Sequence, residues 1–259
     1  MFRVLLIVAA MMFFVGQAFS ATARPQTIEP PREVPTPAPV KQILPKHEHS
    51  AKCEATSAEP VQIICILDRS GSMKALAADT IGGYNSFIER QKKESGAAEV
   101  TTVLFDDQYE KISDAVDLQA VSELTSAEYY ARGTTALLDA VGRTIMDTAG
   151  KMERDEICPA RRRVLVMIMT DGYENASREY TKADLKSLIE ATTNAYKWNY
   201  IFMGANIDSV AEAGSIGIKA HHAANYSADS KGVDRTFSQM NDAAREVRER
   251  GTVSDDWNK

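Results

Sequence analysis

The chain has 259 residues, 44% apolar, 25% charged and 7% aromatic, which excludes wholesale disorder, a fibrous repeat and a multi-span membrane protein. Thirty Lys and Arg against 36 Asp and Glu give a formal charge of −6, so nucleic acid, which rewards clustered cations, is not an expected partner. Three cysteines cannot build a disulfide framework, and their odd number leaves at least one unpaired or paired between chains.

Met1, Phe2 and Arg3 lead into VLLIVAAMMFFVGQAF over residues 4–19, an uncharged apolar run followed by small residues. A spanning helix needs about 20 apolar residues. Residues 1–23 therefore read as a secretory signal, cut before Ala21 or just after Ala23, with an uncleaved amino-terminal anchor as the alternative. The expected location is periplasmic or secreted, with membrane contact only through such an anchor. Residues 24–60 hold eight of the nine prolines and read as an extended, semi-rigid spacer. His47, His49 and Cys53 within it read as solvated side chains, since no fourth ligand is near; a soft-metal site is the alternative.

From Val61 onward apolar runs and helical spacings alternate. VQIICIL (61–67) is a short β-branched run without polar alternation, the pattern of a strand buried on both faces. Residues 80–93 have helical spacing, 99–105 (EVTTVLF) form a second strand, and 109–118 add an edge hairpin strand. A helix comes next over 137–152, then VLVMIMT (164–170), the most apolar strand and hence central. A helix over 182–196, a strand over 199–203, a short helix over 209–213, a last strand over 218–223 and a polar helix over 229–250 complete the series. Strands alternating with helices imply parallel pairing through crossover helices, hence an α/β domain over 61–250 with a three-layer, doubly wound sheet, followed by a flexible tail over 251–259.

Ligands in such folds bind where strands end at their carboxyl edge. The first strand ends in Asp68-Arg69-Ser70-Gly71-Ser72, a carboxylate and two hydroxyls at alternate positions, and the central strand ends in Thr170-Asp171-Gly172. Between them Arg132-Gly133-Thr134-Thr135 presents hydroxyls at another loop tip. Neighbouring strands lie about 4.8 Å apart, so these side chains can converge. Five oxygen donors without imidazole or thiolate describe a Mg²⁺ or Mn²⁺ site. Only two carboxylates balance the cation, which leaves it electrophilic toward an external carboxylate. Taken singly, the same residues would serve as helix caps and turn formers.

The motif Asp68-x-Ser70-x-Ser72, a Thr in a Gly-Thr-Thr loop, and Thr170-Asp171-Gly172 together resemble the metal-ion-dependent adhesion site of von Willebrand factor type A (VWA) domains. The resemblance covers 61–250. Longer stretches (LDRSGSM, DTIGGYNSFIERQK, RGTTALLDAVGRTI, TDGYENASREYT, FMGANID) are similar to a subgroup of small bacterial and phage proteins of this type, which usually lack an export signal. The resemblance implies that Asp68 and Asp171 anchor the cation directly or through water and that Ser70, Ser72 and Thr135 reach it by hydroxyl or through water. Thr135, four residues before Asp139, fits the pattern better than Thr134. The open position would take an Asp or Glu of a protein ligand.

Asp106, Asp107, Asn206 and Asp208 read as ordinary loop carboxylates and helix caps, with a ring around the metal as the alternative. Tyr129, Tyr130 and Arg132 suit either packing or partner contact. Arg161-Arg162-Arg163 reads as a solvated strand start, with an anionic surface as the alternative partner. His221-His222 reads as structural. Cys65 reads as an inert buried thiol, which leaves Cys53 and Cys158 as the pair available to an oxidising compartment.

A binding module is the leading function, since no nucleophile stands beside a base and no Gly-x-Ser-x-Gly occurs. A Mg²⁺-dependent phosphohydrolase of haloacid dehalogenase type is the enzyme alternative. It needs a second Asp two residues after its nucleophile, where this chain has Ser70, whose hydroxyl cannot act as that acid. A metal-independent scaffold subunit is the third reading.

Overall fold

The computed structural model describes residues 59–154 and 161–258. The apolar segment at 4–19, nearly all of the proline spacer, His47, His49, and Cys53 with Cys158 lie outside the described residues. The elements are β1 Val61–Asp68, α1 Ala77–Gln91, β2 Ala98–Phe105, β3 Tyr109–Asp117, α2 Leu137–Arg154, β4 Val164–Thr170, α3 Lys182–Tyr196, β5 Asn199–Gly204, α4 Ser209–Ser215, β6 Ala223–Asn225 and α5 Ser230–Arg250. The sheet order is β3-β2-β1-β4-β5-β6, parallel except for the antiparallel hairpin of β2 with β3 at one edge. Among the described residues, no helix is long and apolar enough to cross a membrane.

The lack of polar alternation in the central strands has a direct cause. On β1, Ile63, Cys65 and Leu67 enter the core under α1 and α5, while Ile64 and Ile66 enter the core under α2 and α3. On β4 the same division sends Leu165, Met167 and Met169 one way and Val164, Val166 and Ile168 the other. Both faces of the sheet are covered, so the interior of these strands is apolar but for Gln62, which donates to Thr101 Oγ1, and polar side chains return at the carboxyl ends with Asp68 and Thr170. Close helix packing is set by small residues: a Cβ on Gly83 would lie 2.2 Å from the Phe237 ring of α5.

Three expectations change. Residues 218–223 are not the last strand. Gly217 takes φ +90° and ends α4, with Ile218 N–H donating back to the Ala213 carbonyl at 2.9 Å. Ile218 is therefore the apolar residue of a helix C-cap, Ala220–His222 make a 3-10 turn, and pairing begins only at Ala223. Residues 251–258 are not a loose tail either. After the left-handed Gly251 the chain folds back, buries Val253 and Trp257, and donates from Trp257 Nε1 to the His221 carbonyl at 2.8 Å. The basic run before β4 is not simply solvated: Arg162 is buried and paired with Glu99, and Arg163 Nη1 donates to the Arg248 carbonyl at 2.5 Å.

Candidate metal centre

β1 and β4 are parallel neighbours at the point where strand order reverses, with β2 and β3 to one side and β5 and β6 to the other. Loops leaving two such strands diverge and open a crevice at their carboxyl ends. Leu67 pairs with Met169, which brings Asp68 level with Thr170. Thr170 Oγ1 donates to Asp68 Oδ2 at 2.6 Å, and the Ser70 N–H donates to Asp68 Oδ1 at 2.6 Å. Each oxygen of this fully buried carboxylate is thereby fixed by one donor.

The remaining donors form a chain of contacts. Ser70 Oγ lies 3.1 Å from Ser72 Oγ, and Ser72 Oγ donates to Asp171 Oδ1 at 2.5 Å. A Cβ placed on Gly172 would stand 3.7 Å from Ser72 Oγ and 3.9 Å from Thr135 Oγ1, so both hydroxyls flank the backbone beside Asp171. Thr135 is buried and Thr134 is exposed. Asp68, Ser70, Ser72, Thr135 and Asp171 are thus brought to one rim.

Burial pushes the Asp68 carboxyl up to about 6 against the opposing hydrogen bonds from Thr170 and Ser70, and the neighbouring Asp171 adds to the rise. Burial raises Asp171 as well, with Ser72 opposing. Two carboxylates that are costly to ionise together favour a cation between them. The donors are all hard oxygens, and only Ser72 of the five is exposed, so the set fits a small divalent ion reached from the rim.

Several residues that position this rim lie outside the expected ligand set. Arg69, between Asp68 and Ser70, is fully buried. Its Nε donates to Asp106 Oδ2 at 3.2 Å and its Nη1 reaches the Glu128 carbonyl at 3.0 Å and Glu110 at 2.7 Å. Arg132 Nε donates to the same Asp106 oxygen at 2.6 Å, and Ala136 N–H donates to the Asp106 carbonyl at 2.9 Å. Asp106 therefore ties the first rim loop to the Thr135 loop, and Arg69 N–H in turn donates to the Phe105 carbonyl. Gly133 takes φ +64° where a Cβ would collide with Asp107 Oδ1 at 2.0 Å, which lets this loop close on β2. Tyr129 is buried and donates from its hydroxyl to the Asp68 carbonyl.

A second strap holds the loop after β4. Asn175 Oδ1 accepts from the Thr135 N–H at 2.9 Å, and Asn175 N–H donates to the Thr135 carbonyl at 3.0 Å. Asp139, in the first turn of α2, accepts from the backbone N–H groups of Arg178, Glu179 and Tyr180 at 2.8 to 2.9 Å. Glu174 Oε2 caps α2 through the Leu138 N–H at 2.9 Å. A carboxylate in the first turn of a helix is a visible sequence signal, but its reach across to 178–180 is not. Asn206 Nδ2 touches the Asp171 carbonyl at 3.4 Å, whereas Asp208 caps α4.

A mainly parallel sheet with an oxygen-lined crevice at its switch point, filled from three loops in this order, defines the class as a VWA domain. The chain belongs to the family described as VWA domain containing CoxE-like protein, whose model matches residues 44–199, more than half of its length. Among solved structures it is similar to a von Willebrand factor type A protein from Catenulispora acidiphila, with a TM-score of 0.51 and 16% identity over 72% of this chain and 43% of that one. It also resembles manganese-loaded TRAP protein from Plasmodium vivax (TM-score 0.49, 19% identity, 70% and 73% covered). A third similar structure is proximal thread matrix protein 1 from the mussel byssus, with a zinc-occupied MIDAS motif (0.47, 12%, 72% and 48%). This chain spans less than half the length of the first of these structures, and at such identities the likeness concerns the fold alone. No curated protein matches it.

Proposed function

We propose that this domain takes up a divalent cation, Mg²⁺ or Mn²⁺, at Asp68, Ser70, Ser72, Thr135 and Asp171, and through it binds an Asp or Glu side chain of a protein partner. The observation that carries this reading is the meeting of all five oxygen donors at the switch point of the sheet. When bound, the ion supplies a Lewis-acidic position that an external carboxylate can fill. The protein's own part is to hold two carboxylates and three hydroxyls in place and to keep the charge of Arg69 turned away into Asp106 and Glu110.

The surroundings support a protein ligand. Tyr130, Tyr173 and Val210 are the exposed large apolar side chains among the described residues. They stand in the loop before Thr135, in the loop after β4 and in the first turn of α4, all at the rim that carries the centre. Exposed aromatic side chains around a polar anchor suit a partner surface.

The same reading makes the protein a binding module rather than an enzyme. Asp68, which would be the nucleophile of a phosphohydrolase, is fully buried and held by two donors. Export to the periplasm or medium, signalled by residues 1–23, would place the module where it meets partner proteins.

Calorimetry with Mn²⁺, and capture of partners by the full chain with and without a chelator, test the reading. One Mn²⁺ per chain at this rim, lost in Asp68→Ala together with capture, is the expected result. Capture that survives Asp68→Ala would point to a metal-independent scaffold, and Mg²⁺-dependent turnover of a generic phosphate ester would point to an enzyme.

A further inference from the structure

At the other end of the sheet the chain assembles a different donor set. The turn Ala220–His222 carries two adjacent histidines whose rings meet edge to face with centroids 4.5 Å apart. One nitrogen from each ring and a carboxylate oxygen of Asp255 all lie within 4.8 Å of one another. His221 Nε2 is already 3.2 Å from Asp255 Oδ1. Ligands bound at about 2.0 to 2.2 Å around a tetrahedral ion stand roughly 3.4 Å apart, so modest side-chain rotation closes the group.

An ion pair between His221 and Asp255 accounts for two of the three groups and leaves the third unexplained. His222 Nε2 is buried without a hydrogen-bond partner. A buried imidazole nitrogen without a partner is a donor atom left for a ligand such as a metal ion. Its position is held from both sides. Trp257 Nε1 donates to the His221 carbonyl at 2.8 Å, and Ser254 donates from its N–H and hydroxyl to Glu246 of α5 at 2.6 and 2.9 Å. His222 also borders a cavity of about 700 Å³ with Trp198, Asn199 and Thr252, which gives an ion a way in.

We propose that His221, His222 and Asp255 form a second metal site, for a borderline transition ion of the Zn²⁺ type, which fastens the carboxyl-terminal segment to the turn before β6. Two imidazoles and one carboxylate select Zn²⁺, Co²⁺ or Ni²⁺ over Mg²⁺, the reverse of the oxygen-only centre at the other rim. The site leaves a fourth position for water. It is independent of the adhesion-type centre in residues, in place and in ion.

Titration of the full chain with Co²⁺ in saturating Mg²⁺ tests this, because Mg²⁺ fills the oxygen-only centre and near-tetrahedral Co²⁺ announces nitrogen ligands by its intense visible absorption. We expect one Co²⁺ per chain, displaced by Zn²⁺. The band should be lost in His221→Ala, weakened about tenfold or more in Asp255→Asn, and retained both in Asp68→Ala and in the triple replacement His47→Ala, His49→Ala, Cys53→Ser. Both test positions are solvent-accessible, so each variant should melt at the wild-type temperature without metal. At a fixed Zn²⁺ concentration the melting temperature of the wild type should rise more than that of Asp255→Asn. Absence of the band, or a band unchanged by His221→Ala and Asp255→Asn, overturns the proposal, as does a Zn²⁺-induced rise of equal size in all three proteins.

Discussion

Replacement of Asp106 by Ala removes the acceptor on which two arginines converge. Arg69 and Asp106 are both fully buried, whereas Arg132 keeps a third of its side chain in solvent. Loss of one member of a buried ion pair costs about 3 to 5 kcal/mol, because the other charge is left without compensation. Arg69 retains the Glu110 carboxylate at 2.7 Å and the Glu128 carbonyl at 3.0 Å, which places the cost at the lower end, about 3 kcal/mol. The contact with exposed Arg132 adds no more than about 1 kcal/mol. Urea unfolding followed by circular dichroism, with chelator present so that bound metal cannot mask the loss, measures this directly. The same change frees the Arg132–Thr135 loop from its side-chain tether, so Mn²⁺ affinity should fall about tenfold, equivalent to about 1.4 kcal/mol. Glu110→Ala is the control; Glu110 is half exposed, and its loss should cost under about 1 kcal/mol. A destabilisation of Asp106→Ala below about 1 kcal/mol would refute the view that this carboxylate neutralises Arg69 and holds the rim.

The packing sets three further outcomes. Asp139→Ala removes the acceptor of three backbone N–H groups, and should cost about 2 to 3 kcal/mol and speed hydrogen exchange selectively at 178–180, as read by mass spectrometry. In Gly142→Ala the new methyl meets the Tyr180 ring at 2.6 Å, so overpacking of about 1 to 3 kcal/mol should appear as a lower urea midpoint with unchanged slope. Burial pushes the Cys65 thiol up to about 12, so it stays protonated through pH 9. Iodoacetamide at pH 8.5 should leave Cys65 untouched in the native chain and modify it after unfolding, as peptide mass spectrometry would show.

Four of the five candidate ligands are legible in the sequence because they close or directly follow β1 and β4, where hydrophobic pattern fixes position, while Thr135 stands just before α2 and is marked by its Gly-Thr-Thr loop and its spacing to Asp139. VQIICIL and VLVMIMT declare themselves central by having apolar residues on both faces, and the residues just past each strand must emerge at the same rim. The residues that hold the rim are not legible, because their partners are far away in sequence. Asp106 reads as a loop carboxylate, and nothing local says that Arg69, 37 positions earlier, lies buried against it. The pairing of Asp139 with 178–180 spans about 40 positions and is equally silent. The misplaced last strand has a local cause. Ile218 looks like a strand residue by hydropathy, yet Gly217 before it makes it the apolar member of a helix cap. The carboxyl-terminal segment carries only Val253 and Trp257 among polar neighbours, too few for a pattern but enough to dock.

The placement of Arg69 has a consequence for charge at the centre. A guanidinium between Asp68 and Ser70 in sequence would, if it faced the crevice, oppose a dication at the range of a few ångströms where buried charges are weakly screened. Its side chain instead points away, with Nε on Asp106, Nη1 on Glu110 and the Glu128 carbonyl, and the guanidinium 5.5 Å from the centre of the Tyr130 ring. Arg69 and Arg132 on one side and Asp106 and Glu110 on the other carry equal and opposite formal charge. The cluster is therefore a neutral brace, and the two carboxylates facing the crevice, Asp68 and Asp171, keep their whole charge for a cation. Neutral hydroxyls complete the donor set, so an ion held there would carry no excess of protein charge. The brace supplies rigidity without taking part in that balance, which is why its loss should weaken metal uptake by loosening geometry, while loss of Asp68 should abolish it.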